Sequence, residues 1–584
     1  MAALFDALLA NPAVILTVGA FALLALPRHL AQVWMLLVAG FSAIKLSMLG
    51  LGEYGALSLF GEQLVTVRVD PLSRIFAVVF HIAIVLNIVY AWGQRDRAQN
   101  FATLAYPAAA LGGVLAGDLV TLFFWWEMAA ITSVFLVWAP GTRVTYLSGM
   151  RYLAIQILSG VLLLGGIVLL WRETGSLAFD CIGLRELGAC NADVANSGAI
   201  KFSALFMFLA FGIKSAFPLL HNWVQDSYPK STITGAIILS IFTTKLAVYS
   251  LARAFPGQIE LVYIGAVMTI FPIFFALIEN DLRKVLTYSI NNQVGFMVVA
   301  IGFGAINGAA GYAFGNIIFE GLLFMALGAA MYRTGTSKAT ELGGLYKTMP
   351  ITMALCVIGA LSISAFPGTL GFVTKGLIID AAGEAHMFWI WLVLLFASAG
   401  VLEHAGIKIP FFTFFAHDSG KRPKEAPPGM LIAMGVSAVL CVGLGVYPDP
   451  LYALMPDQAA IADYHPYSAY HLVEQLQLLL WAVLAFAVLL LLKWYPAEVP
   501  STNLDTDWFW RVPGRRLLGW VTGASRATWI ALWGIFSGRV QALMARIYEV
   551  HGPEGQMARS WPIGFMALWT AVLLALVLVL SFLA

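Results

Sequence analysis

Residues 208–223 read FLAFGIKSAFPLLHNW, an apolar stretch that contains one lysine and one proline. Lys214 lies four positions before Pro218, and a proline removes the helical hydrogen bond to the carbonyl four residues earlier. The stretch therefore predicts a helix that breaks beside a charged side chain. Inside a membrane, a broken helix is tolerated only where the freed backbone groups face protein or a water-filled cavity. Lys214 and Pro218 are therefore candidates for a polar path.

The composition of the whole chain indicates a membrane protein. Of its 584 residues, 60% are hydrophobic and 11% are charged, whereas soluble domains carry about a quarter charged residues. Apolar stretches of roughly 18 to 25 residues, enough for a helix to cross a hydrocarbon core of ~30 Å, recur along the chain. We count sixteen, centred near residues 15, 41, 82, 109, 129, 159, 211, 242, 268, 294, 321, 364, 397, 438, 484 and 572. We therefore expect an all-α polytopic membrane protein, and the net charge of +2 predicts no nucleic-acid partner.

The distribution of lysine and arginine predicts the orientation of the chain. The first apolar stretch, residues 4–26, lacks the basic flank and cleavage site of a signal peptide and is taken as a span. With the N-terminus outside, the inside loops hold 23 basic residues and the outside loops hold six. The positive-inside rule then places both termini outside, on the periplasmic face of a cell inner membrane. The lipid bilayer is accordingly the first expected partner.

Four lysines fall inside apolar stretches, namely Lys45, Lys214, Lys245 and Lys375. Lys45 lies near the end of its stretch, where its ammonium can reach the interface. A lysine in the middle of a span costs about 2.5 to 3.5 kcal/mol on insertion scales. Several such lysines together therefore indicate an interior path that is aqueous or paired with opposite charge.

Glu127 is the only charged residue of the stretch FFWWEMAAITSVFLVW, residues 123–138. One carboxylate cannot neutralise three lysines, so some of these lysines are expected to lie in water or to exchange protons. A lysine taken out of water releases its proton more readily, which is the chemistry of a relay. The two threonines before Lys245 can hold water or pass protons. The alternative is that Glu127 and Lys214 form a buried ion pair that only orients helices.

The sequence SAFP at residues 215–218 recurs at residues 364–367, 149 positions later. Pro218 and Pro367 are thus expected to break two apolar spans, and Lys375 follows the second break. Two broken helices in corresponding places indicate an internal repeat. The breaks fall in the seventh and twelfth expected spans, and a shift of five spans inverts the topology. We therefore predict a core of fourteen helices with two inverted five-helix repeats.

The part of the chain after these repeats adds a span, an arginine-rich segment and a last span. The apolar runs of the arginine-rich segment are about ten residues long, too short to cross a membrane. We interpret this segment as an amphipathic helix on the membrane face, bent near Gly534 and Gly538. The expected domains are N-terminal helices (1–93), a first repeat (101–253), a second repeat (259–406), helices fourteen and fifteen (407–493), a cytoplasmic amphipathic segment (494–560) and a last transmembrane helix (561–584).

Four motifs resemble, in this order, the antiporter-like subunits shared by respiratory complex I (L, M and N type), membrane-bound hydrogenases and Mrp-type cation/proton antiporters. They are VDPLS at 69–73, WWEMAAI at 125–131, GIKSAFPLLHNWVQDSYPKSTITGAI at 212–237 and ENDLRKVLTYSINNQVGF at 279–296. The resemblance covers about residues 65–450. Within it, HAGIKIPFFTFFAHDSGKRPKEAPPGM at 404–430 is similar to the D-type subunits of Mrp antiporters.

The resemblance implies roles for the ionisable residues. Glu127 and Lys214 would form the charge pair that drives transfer. Lys245 would be the central relay, and Lys375 the ionisable group of the second broken helix. The residues expected on the proton path are Glu127, Lys214, His221, Lys245, Glu320 and Lys375, with helix breaks at Pro218 and Pro367.

One position departs from the resemblance. Many relatives carry H-x-x-x-H-x-x-x-K in the eleventh span, where this chain has Tyr312, Asn316 and Glu320. Residues spaced by four share one helix face, so the face stays polar without imidazoles. A proton path there must use Glu320, tyrosine or water, which leaves the working of the second half-channel undecided.

The resemblance implies a proton-translocating subunit of a multi-subunit membrane complex, with other membrane subunits, H⁺ and Na⁺ or another ion as partners. The alternative is a proton-pumping subunit of a complex I-like NADH-quinone oxidoreductase or a hydrogenase, and only then is the chain part of an enzyme. Two other classes are a membrane-embedded enzyme that uses His221, His404 or His417, and a scaffold that has lost its channel. The C-terminal amphipathic helix either clamps a neighbouring subunit, as the resemblance implies, or anchors the chain at the interface.

No cofactor, metal or catalytic residue is expected in this chain. Its four cysteines form no C-x-x-C pair, so cluster, zinc and covalent haem sites are not predicted. Cys181 and Cys190 lie nine residues apart in an expected outside loop, where a disulfide would persist; two free thiols are the alternative. Cys356 and Cys441 lie in apolar stretches and are expected to be packing residues.

Overall fold

The computed structural model describes residues 11–59, 61–180, 182–184, 200–495, 499, 503–555 and 562–583. The described chain is mostly helical and divides into two compact units, Met1–Asn503 and Leu504–Ala584. Cys181 and Cys190 lie outside the described residues, so the disulfide between them stays a prediction. Cys356 and Cys441 are buried free thiols.

The first unit is built from helices of ten or more residues and one β-hairpin. The helices are α1 (Pro12–Ala22), α2 (Ala31–Met48), α3 (Pro71–Tyr90), α4 (Arg97–Val114), α5 (Leu119–Trp138), α6 (Arg143–Thr174), α7 (Phe202–Lys214), α8 (Ile233–Ala254), α9 (Ile259–Ile278), α10 (Leu282–Gly302), α11 (Ile306–Thr334), α12 (Pro350–Ile363), α13 (Leu370–Glu384), α14 (Phe388–Phe415), α15 (Pro428–Val446) and α16 (Ala469–Leu491). The hairpin pairs β1 (Gly52–Leu59) with β2 (Glu62–Val69) in antiparallel register. A short helix, Asn222–Ser227, lies between α7 and α8.

The second unit contains a helix of 37 residues, α17 (Arg515–His551), and the apolar helix α18 (Ile563–Leu583). No described residue of either helix is buried. α17 runs through Gly534 and Gly538 without interruption, so the helix predicted within 494–560 is present. Its position on the membrane face and the bend at the two glycines stay predictions.

Twelve described helices are long and apolar enough to cross a membrane, namely α2, α3, α5, α6, α8, α9, α10, α11, α14, α15, α16 and α18. The expected all-α polytopic membrane fold is therefore confirmed. Three other expected centres lie within α1, α4 and α7, and the centre near residue 364 directly follows α12. The exact number of spans and the domain limits stay predictions.

The hairpin between α2 and α3 is an element that the sequence analysis missed. Its strands have eight residues each, too short for a span, in a segment interpreted as a loop. β2 buries Leu64, Val67 and Val69 and also bonds to the connection after α4, where the Arg68 amide donates to the Leu115 carbonyl at 2.7 Å. The pairing thus depends on contacts far away in the chain.

Helices α8 and α10 lie at the centre of the first unit. The whole apolar window of each is buried, and 94% of the window of α11 is buried, compared with 17% for α16. A helix that is covered on all sides lies inside the protein rather than at its lipid surface. The polar side chains of α8 and α11 are therefore held in the interior.

The two SAFP motifs adopt the same backbone. α7 and α12 each end directly before the motif, and its serine hydroxyl donates to the carbonyl four residues earlier, at 2.8 Å for Ser215 and 2.7 Å for Ser364. The following alanines are left-handed, with φ of 60° at Ala216 and 58° at Ala365. The amide of each motif phenylalanine then donates to the carbonyl five residues earlier, at 3.0 Å in both motifs. The chain thus leaves the helix in the same way at both places.

A second correspondence lies at the starts of α5 and α10. Asp118 and Asp281 cap these helices with their side chains. Each also forms a backbone bridge with the connection after the next helix, at Ala178 and Lys338. The segments α5–α7 and α10–α12 therefore begin with the same cap and end with the same break. Their inverted relation stays a prediction.

Several connections that the basic-residue distribution assigns to one face meet in the structure. Arg253 in the last turn of α8 contacts Asp70 at the start of α3 at 2.7 Å, and Arg68 contacts Asp180 after α6 at 2.5 Å. Burial raises the pKa of Asp70, but Arg253 and the backbone amide of Ser73 lower it by more, so the pKa lies below its ordinary value. These contacts join the ends of separate helices on one face of the unit.

Candidate proton path

Lys214, the last residue of α7, is 1% exposed. Its ammonium donates to the carbonyl of Trp126 on α5 at 2.8 Å and lies 4.2 Å from the centre of the Trp126 ring. The helix break that follows is held by Trp223, whose indole donates to the Ile213 carbonyl at 2.9 Å. A carbonyl dipole and an aromatic face therefore hold this buried cation.

Glu127 follows Trp126 on α5 and faces α6. Its Oε1 occupies the space that a Cβ at Gly160 would fill, and no described group donates to this oxygen. The charges of Glu127 and Lys214 act on each other, but the Lys214 ammonium is bound to Trp126 rather than to the carboxylate. The static ion pair considered from the sequence is therefore not the arrangement that the structure shows.

Lys245 and Glu320 form the one ion pair among the described residues in which both side chains are almost fully buried, each 1% exposed. The Lys245 Nζ lies 3.4 Å from Oε2 of Glu320 and donates to the Ser240 carbonyl at 2.9 Å. Oε1 of Glu320 has no described partner. The sequence analysis named both residues but missed their pairing. No local signal marks it, because 75 residues separate them.

Tyr312, Asn316 and Glu320 form one polar face of α11, and all three are buried. The Tyr312 hydroxyl donates to the side-chain oxygen of Gln293 on α10, and neither amide atom of Asn316 has a described partner. At the far end of the face, the centre of the Tyr312 ring lies 5.7 Å from the ammonium of Lys375. The face therefore runs as a polar line from the buried ion pair to a second lysine.

Lys375 on α13 is 1% exposed. Its ammonium donates to the Ile363 carbonyl at 3.3 Å and to the Ser398 hydroxyl at 3.4 Å, and it lies 5.0 Å from the centre of the Phe296 ring. Ile363 is the last residue of α12, so the second helix break supplies a carbonyl that holds the lysine. Among the described residues, no carboxylate forms an ion pair with Lys375.

His221 lies just after the first break and is 1% exposed. Its ring centre is 4.6 Å from that of Phe271 on α9. Asp226, at the end of the short helix, contacts Arg151 at 2.7 Å and Lys230 at 2.5 Å. The structure thus places His221 in the buried part of the site, and its role in proton transfer stays a prediction.

Buried amides near the path are a feature that the sequence analysis missed. The side-chain atoms of Gln156 on α6 and Asn291 on α10 have no described partner, like those of Asn316. Buried polar groups are normally bonded to protein or ordered water. A single amide within an apolar stretch is the sequence signal that could have indicated them. The described residues contain no group of three or more His, Cys, Asp or Glu that could hold a metal ion.

Residues 116–400 match the profile of a protein family described as NADH:quinone oxidoreductase/Mrp antiporter, TM. This segment belongs to that family. It contains all six residues of the expected proton path and both helix breaks. Within the NADH:quinone oxidoreductase/Mrp antiporter family, the segment therefore carries the polar interior, whereas α15, α16 and the second unit lie beyond it.

Two relatives and one solved structure illustrate the similarity. The A subunit of an Na(+)/H(+) antiporter from Alkalihalophilus pseudofirmus is 27% identical over 532 residues, which cover 80% of this chain and 65% of that protein. F(420)H(2) dehydrogenase subunit L of Methanosarcina mazei is 29% identical over 433 residues, 66% of this chain and 64% of that protein. This chain therefore covers less than two thirds of the length of either relative. A chain of the membrane-bound sulfane sulfur reductase (MBS), an archaeal respiratory membrane complex, shares the fold with a TM-score of 0.67 and 20% identity over 98% of this chain and 100% of that one.

Proposed function

We propose that this chain is a proton-translocating subunit of a multi-subunit membrane complex of the Mrp cation/proton antiporter type. The observation that carries the proposal is the Lys245–Glu320 pair, buried on two helices that lie at the centre of the fold. Ionisable groups at membrane depth are rare and mark the paths of ions and protons. The polar face of α11 extends this pair towards Lys375, so the charged groups form a series rather than an isolated pair.

The proposed route passes through Lys214, Lys245, Glu320 and Lys375. Transfer of a proton from the Lys245 ammonium to the Glu320 carboxylate converts the ion pair into two neutral groups. A buried site disfavours separated charges, so this neutral state is accessible without exposing either group to water. The neutral carboxyl of Glu320 can then pass its proton along α11, past Asn316, to a neutral Lys375.

Glu127 controls the first step in this proposal. Its negative charge acts on Lys214 from the neighbouring turn of α5 without binding the ammonium directly. A change in the charge of Glu127 therefore changes how strongly Lys214 holds its proton. Glu127 is only half-buried, so another chain of the complex that packs against α5 and α6 can reach it.

The coupling of this path to another ion is also part of the proposal. The cited relative that covers the larger share of the chain is part of an Na(+)/H(+) antiporter, which favours exchange of H⁺ for Na⁺ or another cation. The F(420)H(2) dehydrogenase relative and the fold of the archaeal respiratory complex favour the second candidate, a proton-pumping subunit driven by a redox module on other chains. The expected similarity to D-type Mrp subunits stays a prediction.

An enzyme and a scaffold fit the observations less well. The ring of His404 contacts the Gly400 carbonyl at 2.6 Å in α14, and that of His417 contacts the Thr340 carbonyl at 3.2 Å in a connection. These two histidines thus lie against backbone carbonyls in different parts of the fold. A scaffold gains nothing from a lysine and a glutamate in its interior, because an apolar pair of similar volume is often at least as stable.

The orientation rests on the distribution of basic residues, which places both termini outside in a cell inner membrane. The loops that follow α10, α13 and α15 then lie on the outer face. The proposed partners are other membrane subunits, and the exposed surfaces of α17 and α18 are where the C-terminal segment would contact one of them or the membrane.

The experiment is proton flux in proteoliposomes that contain the tagged native complex. A pH-sensitive dye reports flux under an imposed membrane potential, with and without Na⁺. Lys245→Ala and Lys214→Ala should each abolish or sharply reduce flux while the complex still assembles. Lys45→Ala, in the last turn of α2, is the control and should leave flux normal. Normal flux in both interior variants would overturn the proposal, and Na⁺-dependent flux distinguishes the antiporter from the redox-driven alternative.

A further inference from the structure

A second polar region lies between the connections that follow α10, α13 and α15. An open cavity of ≈ 1070 Å³ occupies this space. Its lining residues include five carboxylates and two histidines and contain neither lysine nor arginine. The titratable acids and histidines are Asp380, Glu384, Asp457, Asp463, Glu474, His465 and His471. A cleft lined by one sign of charge concentrates ions of the opposite sign, here protons and other cations.

A smaller cavity of ≈ 30 Å³ extends from this region to Lys375. The space is large enough for about one water molecule. The two cavities share the lining residues Ile379, Asp380, Tyr464, His471 and Glu474. A Cβ at Gly376 would overlap the Tyr464 hydroxyl, so glycine is needed for this close approach. Lys375 therefore lies at the inner end of a tapering polar space.

His471 on α16 and Asp380 on α13 meet at this junction, with Nε2 3.2 Å from Oδ2. The Nδ1 of His471 lies 3.1 Å from the His465 carbonyl, which can only accept a hydrogen bond. Nδ1 therefore carries a hydrogen, and a bond between Nε2 and Oδ2 requires one further proton between them. This proton can reside on the imidazole or on the carboxyl group.

Glu474 provides a second acceptor three residues after His471 on α16. Its Oε1 is buried and has no described hydrogen-bond partner. The remaining titratable groups around His471 are Glu384 from α13, Tyr464 and His465 from the connection before α16, Tyr470 from α16 itself, and Lys375. Of these, Lys375 is the group that lies at the inner end of the space and connects it to the proposed path.

We propose that Asp380, His471 and Glu474 form the port through which Lys375 exchanges protons with the outer cavity. The proposal rests on the proposed function and deepens it by naming the residues that connect the path to one face. His471 and Glu474 lie on α16, outside the segment that matches the family profile. The port therefore depends on a part of this chain that lies beyond that segment.

Each step of the port transfers one proton. The N–H bond of the Lys375 ammonium breaks and an O–H bond forms on Asp380 or Glu474, directly or through one water molecule. The carboxyl proton then moves to Nε2 of a neutral His471, which becomes an imidazolium. The imidazolium releases its proton to water in the outer cavity as hydronium, and the reverse sequence loads Lys375.

The experiment measures flux in the reconstituted complex with variants on both sides of the junction. His471→Ala and Asp380→Asn should reduce flux on the order of tenfold or more, as expected for loss of a positioned acid–base group. His465→Ala is the matched control, because it keeps the backbone carbonyl that contacts His471 and should leave flux close to normal. Asp380→Glu should retain more flux than Asp380→Asn.

Chemical rescue distinguishes a relay from a structural contact. Imidazole added to the outside buffer should restore part of the flux of His471→Ala, whereas it should not restore flux to Lys245→Ala. A structural role would give loss without rescue, and that result would overturn the port. Normal flux in His471→Ala and Asp380→Asn, while Lys245→Ala is inactive, would also overturn the port and leave the proposed function standing. Normal flux in all three would overturn both.

Discussion

Lys245 and Glu320 lie 3.4 Å apart in the interior of the protein, although 75 residues separate them in the chain. Removing one partner of a buried ion pair costs about 3 to 5 kcal/mol, because it leaves an uncompensated charge. Replacing both partners by apolar residues of similar volume is often neutral or stabilising. This asymmetry separates the contribution of the pair to stability from its contribution to proton transfer.

Glu320→Gln should lower both thermal stability and proton flux. The double variant Lys245→Met/Glu320→Met should recover the stability, because no buried charge is left, but should remain inactive. Thermal unfolding of the purified complex and dye-reported flux measure the two effects. Normal flux in the double variant would show that the pair is not part of the path.

Asn316→Leu should reduce flux without loss of stability. Both amide atoms of Asn316 are buried without a described partner, and an unsatisfied buried group costs about 1 to 3 kcal/mol. Leucine removes this cost but interrupts the polar face between Glu320 and Tyr312. Ile317→Leu, one position along α11, is the control and should keep its flux. Equal flux in the two variants would exclude this face as the route.

Gly160→Ala should impair proton transfer by displacing a carboxylate that it does not remove. The new Cβ would occupy the position of Oε1 of Glu127, so the side chain must move away. Gly165→Ala, on the same helix, meets only the ring of Phe206 at 3.3 Å and is the control. Glu127→Gln should impair flux more than Glu127→Asp, since the proposed role is to carry charge. Equal activity of these last two variants would indicate a structural carboxylate.

The two left-handed alanines should tolerate glycine but not valine. A left-handed backbone costs an L-residue roughly 1 to 2 kcal/mol, glycine has no such cost, and a β-branched side chain is least suited to it. Ala216→Gly and Ala365→Gly should therefore assemble like the unmodified protein. Ala216→Val and Ala365→Val should lower the amount of assembled complex, measured by size-exclusion chromatography. Normal assembly of both valine variants would contradict the required backbone.

The cysteines before α7 give a test of the orientation. If the loop lies outside in an oxidising compartment, Cys181 and Cys190 should form a disulfide. Mass spectrometry of non-reduced, alkylated protein should find the two cysteines linked. Two alkylated thiols would reject the disulfide, and rapid labelling of both from the cytoplasmic face alone would reverse the proposed orientation.

The ionisable residues of the path could be located from the sequence, because each is conspicuous in its own neighbourhood. Lys214 and Lys375 stand alone in apolar stretches beside a proline, and Glu127 is the only charge in sixteen residues of its stretch. The pairing of Lys245 with Glu320 could not be located in this way. It depends on the rotation of α8 and α11 about their axes, which packing across the whole unit decides. For the same reason, His471 was not on the expected path, since its partner Asp380 lies on another helix.

The sequence by itself determined the membrane fold, the two helix breaks and the residues able to carry protons, because hydropathy and proline chemistry act within a few residues. Only the tertiary structure decided which of these groups touch. It bound Lys214 to the Trp126 carbonyl rather than to Glu127, joined Lys245 to Glu320, and left Lys375 at the end of a cavity. The physical reason is range: a hydrogen bond or ion pair forms over about 3 Å, and only the packing of helices distant in the chain brings such groups within that distance.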